Sequence, residues 1–191
     1  MCEALGMHIG VVGGTGPAGK GIAARLADAG HDVVLGSRDE TRAAGVVAEL
    51  QERWGDRVAT LVPGTNAAAA AEPVVFIATV WDAAVATVRE LAAQLDGAVV
   101  VSMANGLEKV GRQFRPVMPP EGSVAAAVEA AAPRARVVVA LQHVPAAPLG
   151  DLDGSSRATC SSPATTTTPA PRSSGSSTRS PVSTAWMPAA S

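Results

Sequence analysis

The stretch Ile9-Gly10-Val11-Val12-Gly13-Gly14-Thr15-Gly16-Pro17-Ala18-Gly19-Lys20-Gly21 decides the fold. Its first four residues form an apolar run of strand type. The glycine-rich remainder leads into Ile22, Ala23, Leu26 and Ala27, which recur at helical spacing until Gly30 offers a C-terminal cap. Strand, tight turn and helix in that order predict the start of a βαβ unit. Within the turn, Gly14, Gly16 and Gly19 fit G-x-G-x-x-G. The first glycine permits the turn, the second lets a pyrophosphate approach the backbone, and the third lets helix and strand pack closely. The helix N-terminus then faces the phosphates, so Thr15, Pro17 and Ala18 join the three glycines as expected cofactor-binding residues. Thr15 either reaches a ribose or steadies the turn.

The same residues admit two other spacings. Gly14 to Lys20 fits G-x-x-x-x-G-K, but Gly21 stands where a P-loop needs the hydroxyl that holds Mg²⁺, which sets that reading aside. Gly13, Gly16 and Gly19 give G-x-x-G-x-x-G, a spacing similar to that of atypical short-chain dehydrogenases and related NADP-sensing proteins, and this alternative stays open. The choice of nucleotide is read at the end of the second strand, which runs Gly36-Ser37-Arg38. An acidic residue there would bind the ribose hydroxyls of NAD. A hydroxyl beside a guanidinium instead suits a 2′-phosphate, which Arg holds through paired charge-assisted hydrogen bonds. Arg42, one helical turn further on, adds a second positive charge. NADP(H) is the expected cofactor, with Ser37, Arg38 and Arg42 at its 2′-phosphate; the competing reading makes both arginines solvated surface charges.

Working outward, aliphatic runs at Val33 to Leu35, Val74 to Ile77, Val99 to Val101 and Val137 to Leu141 continue the pattern, with Val58 to Val62 as a weaker sixth strand. Continuous rather than alternating runs predict strands buried on both faces, as in a parallel sheet. Between them, helices are expected from Asp39 through Val46, Val47 and Leu50, over Val85, Val88, Leu91 and Leu95, and from Ser123 to before Pro133. Alternating strand and helix predict an α/β fold, a doubly wound Rossmann-type parallel sheet of strand order 3-2-1-4-5-6.

The 191 residues leave room for one ordinary domain and a remainder. A net charge of -2 and 3% aromatic residues supply neither the electrostatic footprint nor the stacking platform of a nucleic-acid binder. Cys2 and Cys160 alone cannot build a disulfide framework or a thiolate metal cluster, and no metal site is expected. With no basic leader and no long apolar stretch, a cytoplasmic protein without a membrane partner is the expectation, started at Met1 or Met7. Residues 154 to 191 hold eleven Ser, seven Thr, six Ala and five Pro with no acidic residue, too little apolar surface to order a segment. The expected organisation is therefore an extension over residues 1–6, a dinucleotide-binding domain over 7–153 and a disordered tail over 154–191.

The glycine loop, Gly36-Ser37-Arg38, Ser102-Met103-Ala104-Asn105, His143-Val144-Pro145-Ala146 and Gly150-Asp151-Leu152-Asp153 together resemble the NADPH-dependent reductases of coenzyme F-420, from about Met7 to Asp153. The resemblance implies an oxidoreductase that passes a hydride reversibly between NADP(H) and the deazaflavin coenzyme, usually as a homodimer. The alternatives are a protein that binds or senses NADP(H) without turnover, and a related NADP-dependent reductase of another small acceptor. Direct transfer between two cofactor rings needs binding, orientation and exclusion of water rather than a catalytic side chain, so none is sought. In an open α/β sheet the second ring belongs at the carboxyl ends of the strands. Those ends carry Thr79, Val80 and Trp81, then Ser102 and Met103, then Gln142, His143, Val144 and Pro145. Trp81 either covers the nicotinamide or packs the core, and His143 either bonds a ring carbonyl of the coenzyme or is structural. The family often has Pro at the place of Val80 and His at that of Gln142, whose amide donates and accepts hydrogen bonds but carries no proton.

Similar proteins continue past the Gly-Leu-Asp-like segment with a strand, an acidic stretch and a helical dimerisation region. Thr165 to Thr168 becomes a run of Asp if GAC codons have been read one base out of frame, and Trp186-Met187-Pro188-Ala189-Ala190 can be reread as Met-Asp-Ala-Gly-Ser. A frameshift near codon 154 is therefore expected, the other reading being a genuine low-complexity tail.

Overall fold

The computed structural model describes residues 6–154; the expectations for the extension before them and for the tail, including the frameshift, lie outside the described residues. The chain runs β1 (His8–Val12), α1 (Pro17–Asp28), β2 (Asp32–Ser37), α2 (Glu40–Trp54), a 3-10 turn (Gly55–Val58), β3 (Leu61–Thr65), α3 (Asn66–Ala70), β4 (Val74–Ile77), α4 (Trp81–Glu90) and β5 (Val99–Ser102). A hairpin of β6 (Leu107–Val110) and β7 (Gln113–Pro116) follows, then α5 (Val124–Ala131), β8 (Arg136–Val139) and α6 (Ala146–Leu149).

Six strands form one parallel sheet in the order β3-β2-β1-β4-β5-β8. With β8 counted as the sixth strand, this is the doubly wound α/β order expected from the sequence. The apolar runs are continuous because alternate residues serve opposite faces. Val11, Val33 and Leu35 pack with Ile22, Ala23, Val47 and Leu50 of α1 and α2, while Val12, Val75, Ile77 and Val100 pack with Ala84, Val88 and Val128 of α4 and α5. Reversal of the chain order beside β1 opens a crevice at the carboxyl ends of β1 and β4.

Four expectations need correction. The weak sixth run is split: Val58 closes the 3-10 turn and the strand is displaced to Leu61–Thr65. The run Val137 to Leu141 is not buried on both faces, for Val138 is 48% and Val139 41% exposed at the sheet edge. That strand also stops at Val139, and Leu141 takes a left-handed φ of 66°. Helix α4 ends at Glu90; Leu91 and Leu95 are buried in the turns beyond it. The antiparallel β6–β7 pair was not foreseen, its signal being weak because its strands expose Leu107, Val110 and Phe114 instead of burying a patterned face.

Past β8 the chain returns to α1 and is fastened there. Arg25 of α1 donates from Nε to the Leu149 carbonyl (2.7 Å) and from Nη2 to those of Pro148 (2.9 Å) and Asp151 (2.6 Å). Arg57 pairs with both Asp28 oxygens and reaches the Leu152 carbonyl and the Asp153 carboxylate. Hydrogen bonding from Arg57 is the main reason the Asp28 carboxyl lies below its ordinary range. Because the folded value is the lower one, this pair stabilises the fold above the ordinary carboxylate range and loses that contribution as pH falls through the depressed value.

Helix α3 sits directly on the sheet backbone. A Cβ built on Gly10 would lie 1.7 Å from the Ala69 carbonyl oxygen, an approach that no side-chain rotation relieves. Gly10→Ala should therefore cost about 3 kcal/mol in urea unfolding, the upper range for overpacking. Gly45→Ala on the exposed face of α2, where a new Cβ meets nothing within 4 Å, should instead gain about 0.5–1 kcal/mol.

Candidate functional site

The turn between β1 and α1 is held by backbone geometry before any side chain contributes. Gly13 takes φ +73°, the left-handed conformation that disfavours a Cβ. Its N–H donates to Asn66 Oδ1 at 3.1 Å, and Gly14 N–H donates to the Gly36 carbonyl of β2 at 2.8 Å. A Cβ on Gly19 would lie 2.7 Å from both the Gly13 oxygen and the Gly14 Cα, so α1 can start this close to the strand only with glycine. A Cβ on Gly16 would meet only the Gly13 oxygen, at 3.8 Å, and otherwise open space. That space is where backbone can approach a pyrophosphate at the start of α1. Gly16 precedes the helix with an extended φ and ψ, and Pro17 occupies the first helical position, where no N–H is lost to the helix.

Above this turn lies a cleft of about 680 Å³. Thr15, Gly16, Pro17 and Ala18 form its floor, Ser37, Arg38 and Arg42 one end, and Thr79 and Val80 the other, with Ala146 of α6 at the rim. Ser37 is buried, and its Oγ accepts from Asp39 N–H at 3.2 Å, which leaves the hydroxyl proton to donate into the cleft. Asp39 also lines the cleft, but its carboxylate caps α2 by accepting from the Thr41 and Arg42 N–H groups at 2.9 and 3.3 Å. Arg38 and Arg42 are exposed and have no ion-pair partner among the described residues. Two unpaired guanidiniums and a hydroxyl converge on the end of β2, an arrangement suited to a phosphate dianion. At the other end Thr79 lines the cleft, while its Oγ1 is buried and has no hydrogen-bond partner among the described residues.

A second cleft, about 330 Å³, opens beyond the end of β5. Gln142 and His143 line it opposite Asn105, Met118 and Ser123, and Asn105 Nδ2 donates to the Gln142 carbonyl at 3.4 Å. The other expected residues line neither cleft. Gly14, in the turn, packs on Leu35, and Gly19, in α1, packs on Gly13 and Gly14. Trp81 opens α4 and packs against the core cluster around Val12 and Ile77. Ser102 is fully buried with an unpartnered Oγ, and Met103 packs on the α1 side of the sheet. Val144 is 37% exposed and closes a turn onto the Leu141 carbonyl, while Pro145 precedes α6.

Sequence reasoning overlooked Asn66, whose side chain holds the glycine turn, and Ala78, Ala83, Thr87 and Ala146 in the cleft wall. An Asn following Thr at a strand end was a usable helix-start signal, and Thr65 does cap α3 by accepting from Ala68 N–H. Its reach across to Gly13 depends on tertiary placement. No group of three metal-ligating side chains occurs among the described residues, and no helix there is long and apolar enough to cross a membrane.

A glycine turn opening a helix beside the switch in strand order, with a cleft running from Arg38 and Arg42 to the end of β4, defines a dinucleotide-binding α/β domain of the doubly wound class. Comparison with known proteins narrows this class. Residues 8–106 match the family model described as NADP oxidoreductase coenzyme F420-dependent. The F420-dependent NADP reductase of Methanocaldococcus jannaschii is 34% identical over 152 residues, covering 77% of this chain and 68% of the relative. That of Methanothermobacter marburgensis is 41% identical over 97 residues, 50% of this chain and 43% of the relative. Among solved structures, an Arthrobacter sp. FB24 protein assigned as an F420-dependent NADP-reductase superposes with a TM-score of 0.63 at 28% identity, covering 74% of this chain and 65% of that one. A hypothetical protein from Sinorhizobium meliloti, 22% identical over 78% of this chain and 67% of its own, shares the fold with a TM-score of 0.58. The chain belongs to the F420-dependent NADP oxidoreductase family.

Removing the acceptor that Asn66 offers to Gly13 should loosen the turn on which the cleft rests. Asn66→Ala is expected to lower stability by about 1 kcal/mol in denaturant unfolding and to weaken dinucleotide binding measured by calorimetry; unchanged values for both would remove Asn66 from the site.

Proposed function

We propose that the chain transfers a hydride between NADP(H) and the deazaflavin coenzyme F420. The observation that carries this reading is the pair of guanidiniums, Arg38 and Arg42, without an ion-pair partner among the described residues, at the end of β2 in a member of this family. Gly14 and Gly19 shape the turn, and Thr15, Gly16, Pro17 and Ala18 receive the pyrophosphate. Ser37, Arg38 and Arg42 hold the 2′-phosphate. The nicotinamide end then reaches Thr79 and Val80 at the end of β4. Trp81, Ser102 and Met103 shape the strand ends behind it.

The second cleft, with Gln142 and His143 on its wall and Val144 and Pro145 beside it, is the proposed place of the deazaflavin ring. The coenzymes supply the chemistry, a hydride leaving a reduced nicotinamide for the deazaflavin or returning from it. The chain's own residues bind, orient and exclude water, and the reading names no general acid or base among them. Assembly as a homodimer and a cytoplasmic location belong to the same proposal. Support for the location is a sequence with two cysteines and a described part without a membrane-spanning helix.

Mixing the full chain with NADPH and the oxidised coenzyme should bleach the coenzyme's visible absorbance. Tight NADPH binding without bleaching would identify a binding or sensing protein, or a reductase of another acceptor. Arg38→Ala should weaken NADPH binding roughly tenfold or more, the loss expected for charge-assisted bonds to a phosphate, while leaving the much weaker NADH binding within about twofold. Equal losses for both would refute the placement of Arg38 at the 2′-phosphate.

A further inference from the structure

Among the described residues, one segment lines both clefts: Val139, Gln142 and His143 face the second, and Ala146 stands at the rim of the first. Whatever fixes this segment therefore sets how the two proposed ring sites face each other. Its own secondary structure does little to fix it. After the edge strand β8 it passes through Leu141 at φ 66°, a conformation costly for a bulky side chain, and then forms only the single turn of α6.

The restraint comes from α1. The guanidinium of Arg25 takes the carbonyls of Pro148, Leu149 and Asp151 from one side chain, binding the last turn of α6 and the residue just beyond its cap. Three carbonyls arranged around one planar fork specify position and orientation together, which a single ammonium could not do. Beside it, a Cβ on Gly21 would lie 2.9 Å from Gly150 N and 3.0 Å from Leu149 C, so α6 rests directly on the backbone of α1. Leu149 and Leu152 are buried in the core cluster of α1 and α2, which carries the fastening through to the sheet. The glycine turn that opens α1 and the contacts that fasten α6 thus belong to one rigid helix.

We infer that Arg25 is a positioning residue for hydride transfer. From α1 it holds α6, and through α6 the 139–146 segment, so that the nicotinamide end of the dinucleotide cleft and the second cleft keep a fixed relation. This inference rests on the NADP(H) reading above. Arg25 touches neither cleft, so its effect should appear at the nicotinamide end and not at the adenosine end.

The test compares two probes on the full chain by titration calorimetry: NADPH, and adenosine 2′,5′-bisphosphate, which carries the 2′-phosphate but no nicotinamide. Arg25→Ala should weaken NADPH roughly tenfold while changing the bisphosphate less than about twofold, and Arg25→Lys, with one donor nitrogen, should fall between. Hydrogen exchange at Gly150 N–H, which donates to the Ala146 carbonyl, should quicken in the same order. Should Arg25→Ala fail to fold, Gly21→Ala retains the arginine but presses α6 off α1, and the same selective loss is expected. Equal weakening of both probes, or unchanged NADPH affinity, would overturn the positioning role. Failure of the unmodified chain to bind either probe would instead overturn the NADP(H) reading, and the inference with it.

Discussion

The site depends on how closely α1 can start to the end of β1. With the Gly19 Cβ position only 2.7 Å from the carbonyl oxygen of Gly13, the helix follows the strand after four intervening residues, and its unsatisfied N–H groups face outward over Gly16. A helix displaced to accommodate a side chain there would lift its N-terminus away from the cleft floor. It would also carry Arg25, and so α6, out of register with the sheet. One steric constraint thereby governs the glycine turn and the wall of both clefts.

Electrostatics act locally against the sign of the whole. The full chain carries a formal charge of -2, yet the end of β2 presents two guanidiniums without acidic partners among the described residues. The nearest carboxylate in the cleft, that of Asp39, accepts two N–H groups at the start of α2, where the helix dipole favours its charge. Arg42 lies on the same first turn. The residue that ends β2 and the helix that follows thus separate a capped carboxylate from exposed cations over four positions, which lets a phosphate meet the cations without facing an uncompensated acid.

What could be read from the sequence was local. The turn, the two core-facing registers of Val11 and Val12, and the Ser37-Arg38 strand end each follow from neighbours within a few residues, and strand order followed from alternation of strand and helix. What could not be read depends on elements far apart in the chain. Gly10 is required by Ala69, fifty-nine positions away, and Gly13 is bonded by Asn66, across a separation of 53. Apolar periodicity likewise cannot tell a central strand from an edge, so Val138 looked as buried as Val100 although only Val100 has strands on both sides and a helix above it. Of the expected site residues, Thr15, Gly16, Pro17 and Ala18 of the turn and Ser37, Arg38 and Arg42 at the end of β2 converge on one cleft. Those taken from later strand ends divide among that cleft, which Thr79 and Val80 also line, a second cleft and positions lining neither, because a strand's carboxyl end specifies a region and not the direction in which a side chain points.

The division into two clefts explains why the strained turn after β8 is tolerated. A relaxed Leu141 would let the chain continue outward from the sheet edge, and Gln142 and His143 would leave the second cleft. Holding Leu141 at positive φ requires contacts further along the chain that outweigh a cost of about 1–3 kcal/mol. Arg25 supplies three hydrogen bonds to carbonyls and Arg57 two more bonds at Leu152 and Asp153, while Leu149 and Leu152 bury apolar surface against α1 and α2. Charged donors to backbone carbonyls each contribute about 1.5–3 kcal/mol where partly buried, so the two part-buried bonds of Arg25, to Leu149 and Asp151, already match the strain. The turn is thus bent from its far end, by residues that never enter the space it encloses.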